Sequence, residues 1–573
     1  MKKEFIIDIE TDALTPTKIW CCGVKEIGKL GFLAMSPEEL QQVINNNQGA
    51  IFYAHNGNRF DYPVLRELWS IDFNGVCLAD SVVLSRQANP KRPNGNSLKA
   101  WGERLGFPKG DHCDWTQFTP EMGTYCLQDL LVTEKALEVI KEELNAPSVL
   151  MEARVKEIID KQIAHGWLLD IQKCMVLLGQ LKDRKYEIEH SVRERFVPHA
   201  RFKKSVVPKV NKDGSYSRVG ISDLVAYVDG PFSRITFPEF NLGSRKQIGE
   251  YLQYFGWVPK VFTPTGQPVV DEGTLEGADI PEAKLIEEYL MVEKRIAMIS
   301  SWVDFADEND RVHGKVNPVG AVTFRMTHSL PNMAQVTANG KPYGKEMREC
   351  WIVPQGYKLV GTDADALELC MLAHYMNDPE YIQAVSKGSK EEGTDVHTKN
   401  QVAVGLSTRD QAKTFIYAYL YGAGDEKIGS IAGLSRSGGR ALKERFLRKT
   451  PSLKSLRDRV ANASRRGFLV GLDKRHVEVR SEHAALNTLL QSAGALVMKR
   501  ALILAYDKAT QEGLDFHLVG NIHDEYQCEV LEEHASRWAE IAAEAITLAG
   551  EYYHLRCPLK GTSTIGDTWA GTH

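Results

Sequence analysis

Residues 358–368 have the sequence KLVGTDADALE, in which a short apolar run ends in acids. This pattern predicts a strand that carries Asp363 to its end. Residues 518–525, LVGNIHDE, predict a hairpin that presents Asp524 and Glu525 in the same way. A His-Asp-Glu triplet alone is more often an ordinary turn than a functional site. The two segments indicate a functional site only in combination with the helix that is predicted between them.

That helix is predicted over residues 409–422, with the sequence RDQAKTFIYAYLYG. Side chains that recur every four residues form one stripe, because an α-helix has about 3.6 residues per turn. The stripe consists of Arg409, Lys413, Tyr417 and Tyr421. Cations and rings on one face suit a triphosphate with its sugar and base. An ordinary amphipathic helix with a solvated basic edge gives the same pattern. A second set with this spacing consists of His483, Asn487 and Gln491.

A second group of acids lies near the N-terminus. The segment Phe5–Glu10 predicts a buried strand, and alternation of its side chains places Asp8 and Glu10 on one face. Such a pair is costly unless a cation lies between the carboxylates, and Mg²⁺ prefers such hard oxygen ligands. Asp61 follows in HNGNRFD, and Tyr125 and Asp129 share a helix face. The alternative is a strand that ends at the surface in solvated acids.

Composition narrows the class of protein. A chain of 573 residues suggests three or four domains, and a net charge of −5 argues against a simple nucleic-acid-coating protein. The 10 cysteines are scattered without a CxxC pair, which indicates reduced thiols in a cytosol. No membrane span is expected. Residues 1–145 predict an α/β domain, residues 151–196 and 244–304 predict helix, and Pro, Gly and Ser interrupt residues 197–240.

Together these segments resemble the polymerase I type (family A) of DNA polymerase with an N-terminal 3′–5′ exonuclease. The likeness is greatest to the replicative polymerases of short-tailed bacteriophages, through HNGNRFDYPVL, SLKAWGERLG, RDQAKTFIYAYLYGAGDEKIG and HAALNTLLQSAGA. It covers nearly the whole chain. It implies a multidomain α/β and α+β fold, with an RNase H-like exonuclease domain followed by a right-hand polymerase. The implied domains are an exonuclease at 1–145, a thumb at 146–325, palm at 326–395 and 480–573, and fingers at 396–479.

The resemblance also implies roles for residues of the polymerase half. Asp363, Asp524 and the carbonyl of Ala364 would hold two Mg²⁺ ions, with Glu525 assisting. Arg409, Lys413 and His397 would bind the triphosphate. Tyr417 would lie under the sugar, and Tyr421 would cap the insertion site. Glu368 matches the steric gate against a 2′-hydroxyl. The implied minor-groove contacts are Arg325, His483, Asn487 and Gln491.

In the N-terminal half, the resemblance implies that two more Mg²⁺ ions bind to Asp8, Glu10, Asp61 and Asp129. Tyr125 would orient the attacking water, and Mn²⁺ is expected to be able to substitute for Mg²⁺. Primer–template DNA and dNTPs are the implied substrates, in the cytoplasm of a bacterial host cell for a phage protein.

Four positions depart from the family pattern. Asp365 stands where the family usually has a small hydroxyl residue, and Cys370 stands where it has an arginine. Phe324 replaces the glycine of the TGR motif, and Thr337 replaces a usual proline. The first departure bears on metal affinity and the others on primer–template contacts. None removes a catalytic carboxylate.

The segment 197–240 is longer than in the cellular relatives, and residues 201–218 are strongly basic. In phage polymerases the equivalent tip of the thumb can host a processivity-factor loop, in the best-known case for host thioredoxin. We therefore expect this basic insertion either to dock a thioredoxin-like processivity factor or to clamp DNA directly. An unstructured surface loop is the alternative.

Three other functions compete with this interpretation. A single-subunit RNA polymerase shares the palm architecture, but Glu368 and the attached exonuclease argue against it. An exonuclease with a decayed polymerase would not need to keep Asp363, Asp524, Arg409 and Lys413. A non-catalytic DNA-binding protein would not need two carboxylate clusters. The sequence contains no P-loop motif, so helicase activity is not indicated.

Overall fold

The computed structural model describes residues 3–89, 92–144, 146–219, 221, 227–276 and 278–573. The chain forms two compact units. The first combines residues 1–170 and 305–573, and the second consists of residues 171–304.

The N-terminal part of the first unit is a mixed sheet of five strands in the order β3-β2-β1-β4-β5. Strands β1 to β3 are antiparallel, whereas β4 and β5 run parallel to β1. The expected α/β character of this region is therefore confirmed. The strands are β1 Glu4–Thr11, β2 Ile19–Glu26, β3 Phe32–Ala34, β4 Ile51–Ala54 and β5 Cys77–Asp80. The helices are α1 Pro37–Asn45, α2 Asp61–Trp69, α3 Ser81–Ala88, α4 Leu98–Arg104 and α5 Pro120–Glu143.

The helix predicted over 151–196 is in fact two helices. The first ends at His165, because Gly166 adopts a φ of +71°, a left-handed conformation that favours glycine. The helix predicted over 244–304 is also interrupted, because Gly256, Pro259, Pro264 and Gly266 place turns between its parts. The elements are α6 Ala146–His165, β6 Trp167–Leu168, α7 Ile171–Arg195, β7 Arg201–Val206, β8 Phe232–Thr236, α8 Arg245–Tyr254, α9 Glu272–Leu275 and α10 Pro281–Phe305.

The basic insertion contains regular structure. Strands β7 and β8 pair as an antiparallel hairpin, and a smaller bridge joins Val210 to Tyr216 within it. Residues 220 and 222–226 of the insertion lie outside the described residues.

The C-terminal part of the first unit is built on an antiparallel sheet of four strands in the order β15-β16-β12-β17. Its strands are β12 Tyr357–Ala364, β15 Phe516–Ile522, β16 Glu525–Leu531 and β17 Gly561–Gly566. Smaller strands are β9 Arg311–Val312, β10 Lys315–Asn317, β11 Thr327–Ser329, β13 Phe468–Val470 and β14 His476–Glu478. The helices are α11 Gly344–Arg348, α12 Leu367–Met376, α13 Pro379–Ser386, α14 Val396–Val404, α15 Arg409–Leu420, α16 Asp425–Ile431, α17 Arg436–Lys449, α18 Pro451–Ser464, α19 Ala485–Gln511 and α20 Ala535–Tyr552.

The expected strands around Asp363 and Asp524 are thus present. Strand β12 delivers Asp363 near its end, and the turn between β15 and β16 contains only His523 and Asp524. Asp363 lies directly opposite Glu525 in the register of β12 and β16. The sheet therefore brings the three acids to one edge.

Helix α19 packs through the centre of this part. Among the described residues, the stretch Glu482–Gln511 is long and apolar enough to cross a membrane by length and composition. No membrane span was expected from the sequence, because polar residues interrupt this apolar stretch. Its length and mean composition nevertheless meet the criterion. Within the fold, 83% of its most apolar window is buried. A core helix gives the same result.

Candidate active sites

The first candidate site is the N-terminal carboxylate cluster of Asp8, Glu10, Asp61 and Asp129. Alternation along β1 places Phe5, Ile7 and Ile9 in one core and leaves Asp8 and Glu10 on the other face, towards α5. Asp61 begins α2 and accepts a hydrogen bond of 3.1 Å from the Ile9 amide. Asp129 comes from α5. The structure therefore brings all four predicted acids together.

The cluster carries more negative charge than its surroundings neutralise. Burial raises the pKa of Glu10 to about 8, and the nearby Asp129 carboxyl adds to the shift. Burial also raises the pKa of Asp61 to about 7. Oε1 of Glu10 and Oδ1 of Asp129 are buried without a hydrogen-bond partner in the described structure. Hard oxygen donors with unpaired oxygens fit a divalent cation such as Mg²⁺.

Tyr125 lies beside this cluster with a cation and an indole around it. The Lys109 ammonium is 4.6 Å from the centroid of the Tyr125 ring and forms an ion pair with Asp129. The Trp115 ring packs edge-on against Tyr125 at 5.8 Å. Nothing in the sequence spacing pointed to Lys109, because it comes from a loop that reaches the cluster only in the folded chain.

The second candidate site is the C-terminal carboxylate pair of Asp363 and Asp524. The backbone amide of Ala364 donates a 3.2 Å hydrogen bond to the carbonyl of Asp524, which joins the strand end to the hairpin turn. Reduced solvation raises the pKa of Asp363 to about 7, and the charges of Asp524 and Glu525 contribute. Burial likewise raises the pKa of Asp524. The carboxylates of Asp363 and Asp524 supply hard oxygen donors that fit Mg²⁺.

Glu525 differs from these two acids because protein donors hold both of its oxygens. Trp569 Nε1 donates to Oε1 at 3.0 Å, and Gln527 Nε2 donates to the same atom at 2.5 Å. His573 Nε2 is 3.0 Å from Oε2. Burial opposes ionisation, but these partners lower the pKa of Glu525. The sequence did not single out Trp569 or His573.

Helix α15 presents the predicted stripe. Thr408 and Gln411 form a capping box at its start, and Phe415, Ile416 and Leu420 anchor its buried face. Lys413 and Tyr421 are exposed, and Tyr417 is half-buried. The helix itself ends at Leu420, so Tyr421 is its C-cap residue.

At the start of α15, Arg409 is held by an acid that the sequence analysis did not consider. The guanidinium donates hydrogen bonds of 2.9 and 3.1 Å to Asp395 Oδ1. Although burial opposes ionisation of this carboxyl, Arg409 and Thr398 lower the pKa of Asp395 to about 2. Asp395 also caps α14 through the His397 amide. The His397 ring lies 6.2 Å from the Tyr417 ring.

Glu368 joins two other predicted residues. Its Oε1 accepts a 2.5 Å hydrogen bond from the Tyr421 hydroxyl and lies 3.2 Å from the Arg325 guanidinium. Phe324, which precedes Arg325, has a φ of +60° and is 1% exposed. That backbone conformation favours glycine, and it costs a bulky residue about 1–2 kcal/mol. Packing of the Phe324 ring under the Arg475 guanidinium, at 4.4 Å, offsets this cost.

The remaining predicted residues lie on elements of the same C-terminal part of the first unit. His483 lies in a short turn before α19, and its carbonyl approaches Gly422 at the end of α15. Asn487 and Gln491 follow one and two turns along α19. Asp365 accepts a 2.9 Å hydrogen bond from the Thr562 hydroxyl. Two other departures from the family pattern also make contacts within the fold. The Cys370 thiol donates to the carbonyl of Asp365. The carbonyl of Thr337 accepts a hydrogen bond from the Arg348 guanidinium.

The sequence pattern described as "DNA polymerase family A" matches residues 226–571. The chain therefore belongs to DNA polymerase family A. Its similarity to the polymerases of phages T3 and T7 over nearly the whole chain shows a DNA-directed DNA polymerase of the phage T7 type.

The relatives agree with this assignment. The chain is 34% identical to the DNA-directed DNA polymerase of Enterobacteria phage T3, over 92% of this chain and 93% of that protein. It is 32% identical to the DNA-directed DNA polymerase of Escherichia phage T7, over 99% and 100% of the two chains. Among solved structures, the polymerase domain of Pol1 from M. smegmatis, in complex with DNA primer-template and dNTP, has a TM-score of 0.78 at 16% identity. It covers 100% of this chain and 96% of that chain, which confirms a multidomain α/β fold of the polymerase I type.

Proposed function

We propose that this chain adds dNTPs to a primer 3′-hydroxyl on a DNA template and removes mispaired 3′ ends with its own 3′–5′ exonuclease. The observation that carries the polymerase half is the convergence of Asp363 and Asp524 at one sheet edge. The stripe on α15 supplies the cations and rings for a nucleotide. The DNA and dNTP named for the M. smegmatis complex support the same substrates here.

In this proposal the polymerase residues have separate roles in metal binding and in triphosphate binding. Asp363, Asp524 and the carbonyl of Ala364 would hold two Mg²⁺ ions, which when bound lower the pKa of the primer hydroxyl and stabilise the departing pyrophosphate. Arg409 and Lys413 bind the triphosphate, together with His397. The Asp395 carboxylate keeps the Arg409 guanidinium oriented for that contact.

The same proposal gives the Glu368 contacts a role in sugar selection. Glu368 would crowd a 2′-hydroxyl, and its hydrogen bond from Tyr421 orients the ring that we assign to cap the insertion site. Tyr417 lies under the sugar. Arg325, His483, Asn487 and Gln491 contact the minor groove near the primer end, where acceptors vary little between base pairs. The steric gate proposed for Glu368 supports DNA rather than RNA synthesis.

We assign the exonuclease to the N-terminal carboxylate cluster. The strand order β3-β2-β1-β4-β5, with the central strand carrying Asp8 and Glu10, supports an RNase H-like domain at residues 1–145. The four acids would hold two Mg²⁺ ions that activate a water and stabilise the leaving 3′-oxygen. Tyr125 orients that water, and Lys109 fixes the Asp129 carboxylate.

We assign the remaining domains by the same reasoning. The thumb takes residues 146–325 and includes the compact unit 171–304, the palm takes 326–395 and 480–573, and the fingers take 396–479. The β7–β8 hairpin lies in the basic insertion at 197–240, where we place the contact with a thioredoxin-like processivity factor or with DNA itself.

The test is extension of a labelled primer on a DNA template with Mg²⁺, with and without dNTPs. We expect wild type to extend with dNTPs and to shorten the primer without them. Asp524→Ala should abolish only extension, and Asp8→Ala should abolish only shortening. If Asp8→Ala still shortened the primer as wild type does, the exonuclease assignment would be wrong. Extension by Asp524→Ala would refute the polymerase assignment.

A further inference from the structure

A thiol lies inside the N-terminal carboxylate cluster. Cys126 follows Tyr125 on α5 and is completely buried. Its Sγ is 3.5 Å from the carbonyl oxygen of Asp8 and 4.0 Å from Asp8 Oδ2. The sulfur and one carboxylate oxygen each from Asp8 and Glu10 all lie within 4.8 Å of one another. A soft sulfur donor therefore lies among the hard oxygen donors.

Packing fixes the position of this sulfur. Gly23 lies opposite Asp8 on β2, and a Cβ at Gly23 would come within 2.8 Å of Cys126 Sγ. The sulfur therefore occupies the space that a side chain at residue 23 would need. A second buried thiol, Cys21, lies opposite Glu10 in the same strand register.

Two carboxylate oxygens of the cluster also lack a hydrogen-bond partner among the described residues. Oε1 of Glu10 and Oδ1 of Asp129 have no hydrogen-bond partner in the described structure, and these residues are only 4% and 2% exposed. A buried unpaired oxygen costs about 1–3 kcal/mol, and more when it carries charge. A bound cation would remove that cost, and the ligand beside it determines which cations bind well.

We propose that Cys126 is a metal ligand, which with Asp8 and Glu10 gives the cluster a mixed sulfur–oxygen site for thiophilic divalent cations such as Zn²⁺, Cd²⁺ and Co²⁺. The proposal deepens the exonuclease function assigned to this cluster and rests on it. Thiolates select such ions over Mg²⁺. On binding, the Sγ–H proton passes to solvent and the sulfur lone pair forms the bond to the metal.

The geometry permits this coordination. Zinc–sulfur and zinc–oxygen bond lengths place the ligand atoms of a tetrahedral site about 3–4 Å apart. The three candidate ligand atoms lie within 4.8 Å of one another, which is close to that spacing. Because such an ion would occupy the same carboxylates as Mg²⁺, it would compete with Mg²⁺ at the exonuclease centre. The polymerase centre has no equivalent thiol among the ligands assigned to it.

The proposal is tested by titrating the chelator-treated full chain with Co²⁺ and recording the sulfur-to-cobalt charge-transfer absorption in the near ultraviolet. The variants are Cys126→Ser and the control Cys77→Ser, since Cys77 is an exposed thiol outside the cluster. We expect the band in wild type and in Cys77→Ser, displacement of the band by Zn²⁺, and its loss in Cys126→Ser. Unchanged far-ultraviolet circular dichroism of Cys126→Ser should show that this loss is not unfolding.

A band that persists in Cys126→Ser, or that is absent from wild type, would overturn the proposal. If Cys126→Ser does not fold, Asp8→Asn replaces it, and an unchanged Co²⁺ affinity and band in that variant would equally overturn the site. Mg²⁺-dependent shortening of a primer by wild type tests the exonuclease itself. Failure of that activity with the cobalt band intact removes the exonuclease assignment and leaves the sulfur ligand established.

Discussion

A buried ionic cluster of Glu152, Asp473, Arg475 and Lys499 allows a quantitative prediction. Glu152 on α6 accepts hydrogen bonds of 2.8 Å from the Lys499 ammonium and 2.7 Å from the Arg475 guanidinium. Arg475 also pairs with Asp473 at 2.7 Å. Glu152 is 0% exposed, and the side chains of Arg475 and Lys499 are each 2% exposed. The charges of the two cations and two anions therefore balance in a part of the interior that water does not reach.

Replacing Glu152 with glutamine removes one charge and leaves an unbalanced cation in that interior. Removing one partner of a buried ion pair costs about 3–5 kcal/mol, so we expect the free energy of unfolding to fall by about that amount. The cluster joins α6, the β13–β14 connection and α19, so the loss should affect cooperative unfolding of this part of the chain.

The matched control is Glu157→Gln on the same helix. Glu157 pairs with Arg154 at 2.6 Å, but its side chain is 50% exposed. Exposed pairs contribute about 0–1 kcal/mol, so this variant should unfold nearly as wild type does.

The assay is urea unfolding followed by circular dichroism and tryptophan fluorescence. The double variant Glu152→Gln with Lys499→Met restores charge balance and should recover part of the loss, as a coupled pair does. If Glu152→Gln and Glu157→Gln differed by less than about 1 kcal/mol, the reasoning about uncompensated buried charge would be refuted.

Three further predictions follow from the described contacts. Tyr417→Phe should discriminate more strongly against dideoxynucleotides, because the Tyr417 hydroxyl can replace the missing 3′-hydroxyl interaction; equal discrimination in competitive primer extension would refute this role. Glu368→Ala should raise ribonucleotide incorporation about 10- to 100-fold in the same assay, because a small side chain admits the 2′-hydroxyl; unchanged selectivity would exclude the steric gate. Burial and the neighbouring Arg556 lower the pKa of His374 from 6.5 to about 4, so its neutral form is the one that suits the fold. Stability should therefore fall as pH drops from 6.5 to 4, by up to about 3 kcal/mol from this group, and the wild-type loss over that window should exceed that of His374→Gln; identical pH profiles would contradict the assignment.

Much of the fold and of the two candidate sites could be predicted because the signals are local. Alternation in Phe5–Glu10 predicted the face of Asp8 and Glu10, and four-residue spacing predicted the stripe on α15. Helix continuity was predicted less well. Gly166 ends a helix through its positive φ, and an apolar periodicity continues across it without a break.

The missed residues reach the sites from distant parts of the chain. Lys109 contacts an acid 20 residues away, and Trp569 contacts Glu525 across 44 residues. In the sequence, Asp395 has only the features of an ordinary helix cap. Its pairing with Arg409 is evident only from the fold. Such contacts depend on tertiary packing, for which a single sequence carries no periodic signal.

The acids of the two centres have similar sequence settings, and only their partners separate their roles. Trp569, Gln527 and His573 occupy both oxygens of Glu525, so this carboxylate is fixed in orientation and has little capacity left to bind an ion. Glu10 is also buried, but its Oε1 has no partner in the described structure, and burial together with the charge of Asp129 raises its pKa. A buried carboxylate with satisfied oxygens supports the site, whereas one with an unpaired oxygen is a place where a cation lowers the free energy. By this criterion we propose that Glu525 orients the acids of the polymerase centre and that Glu10 is a primary metal ligand of the exonuclease centre.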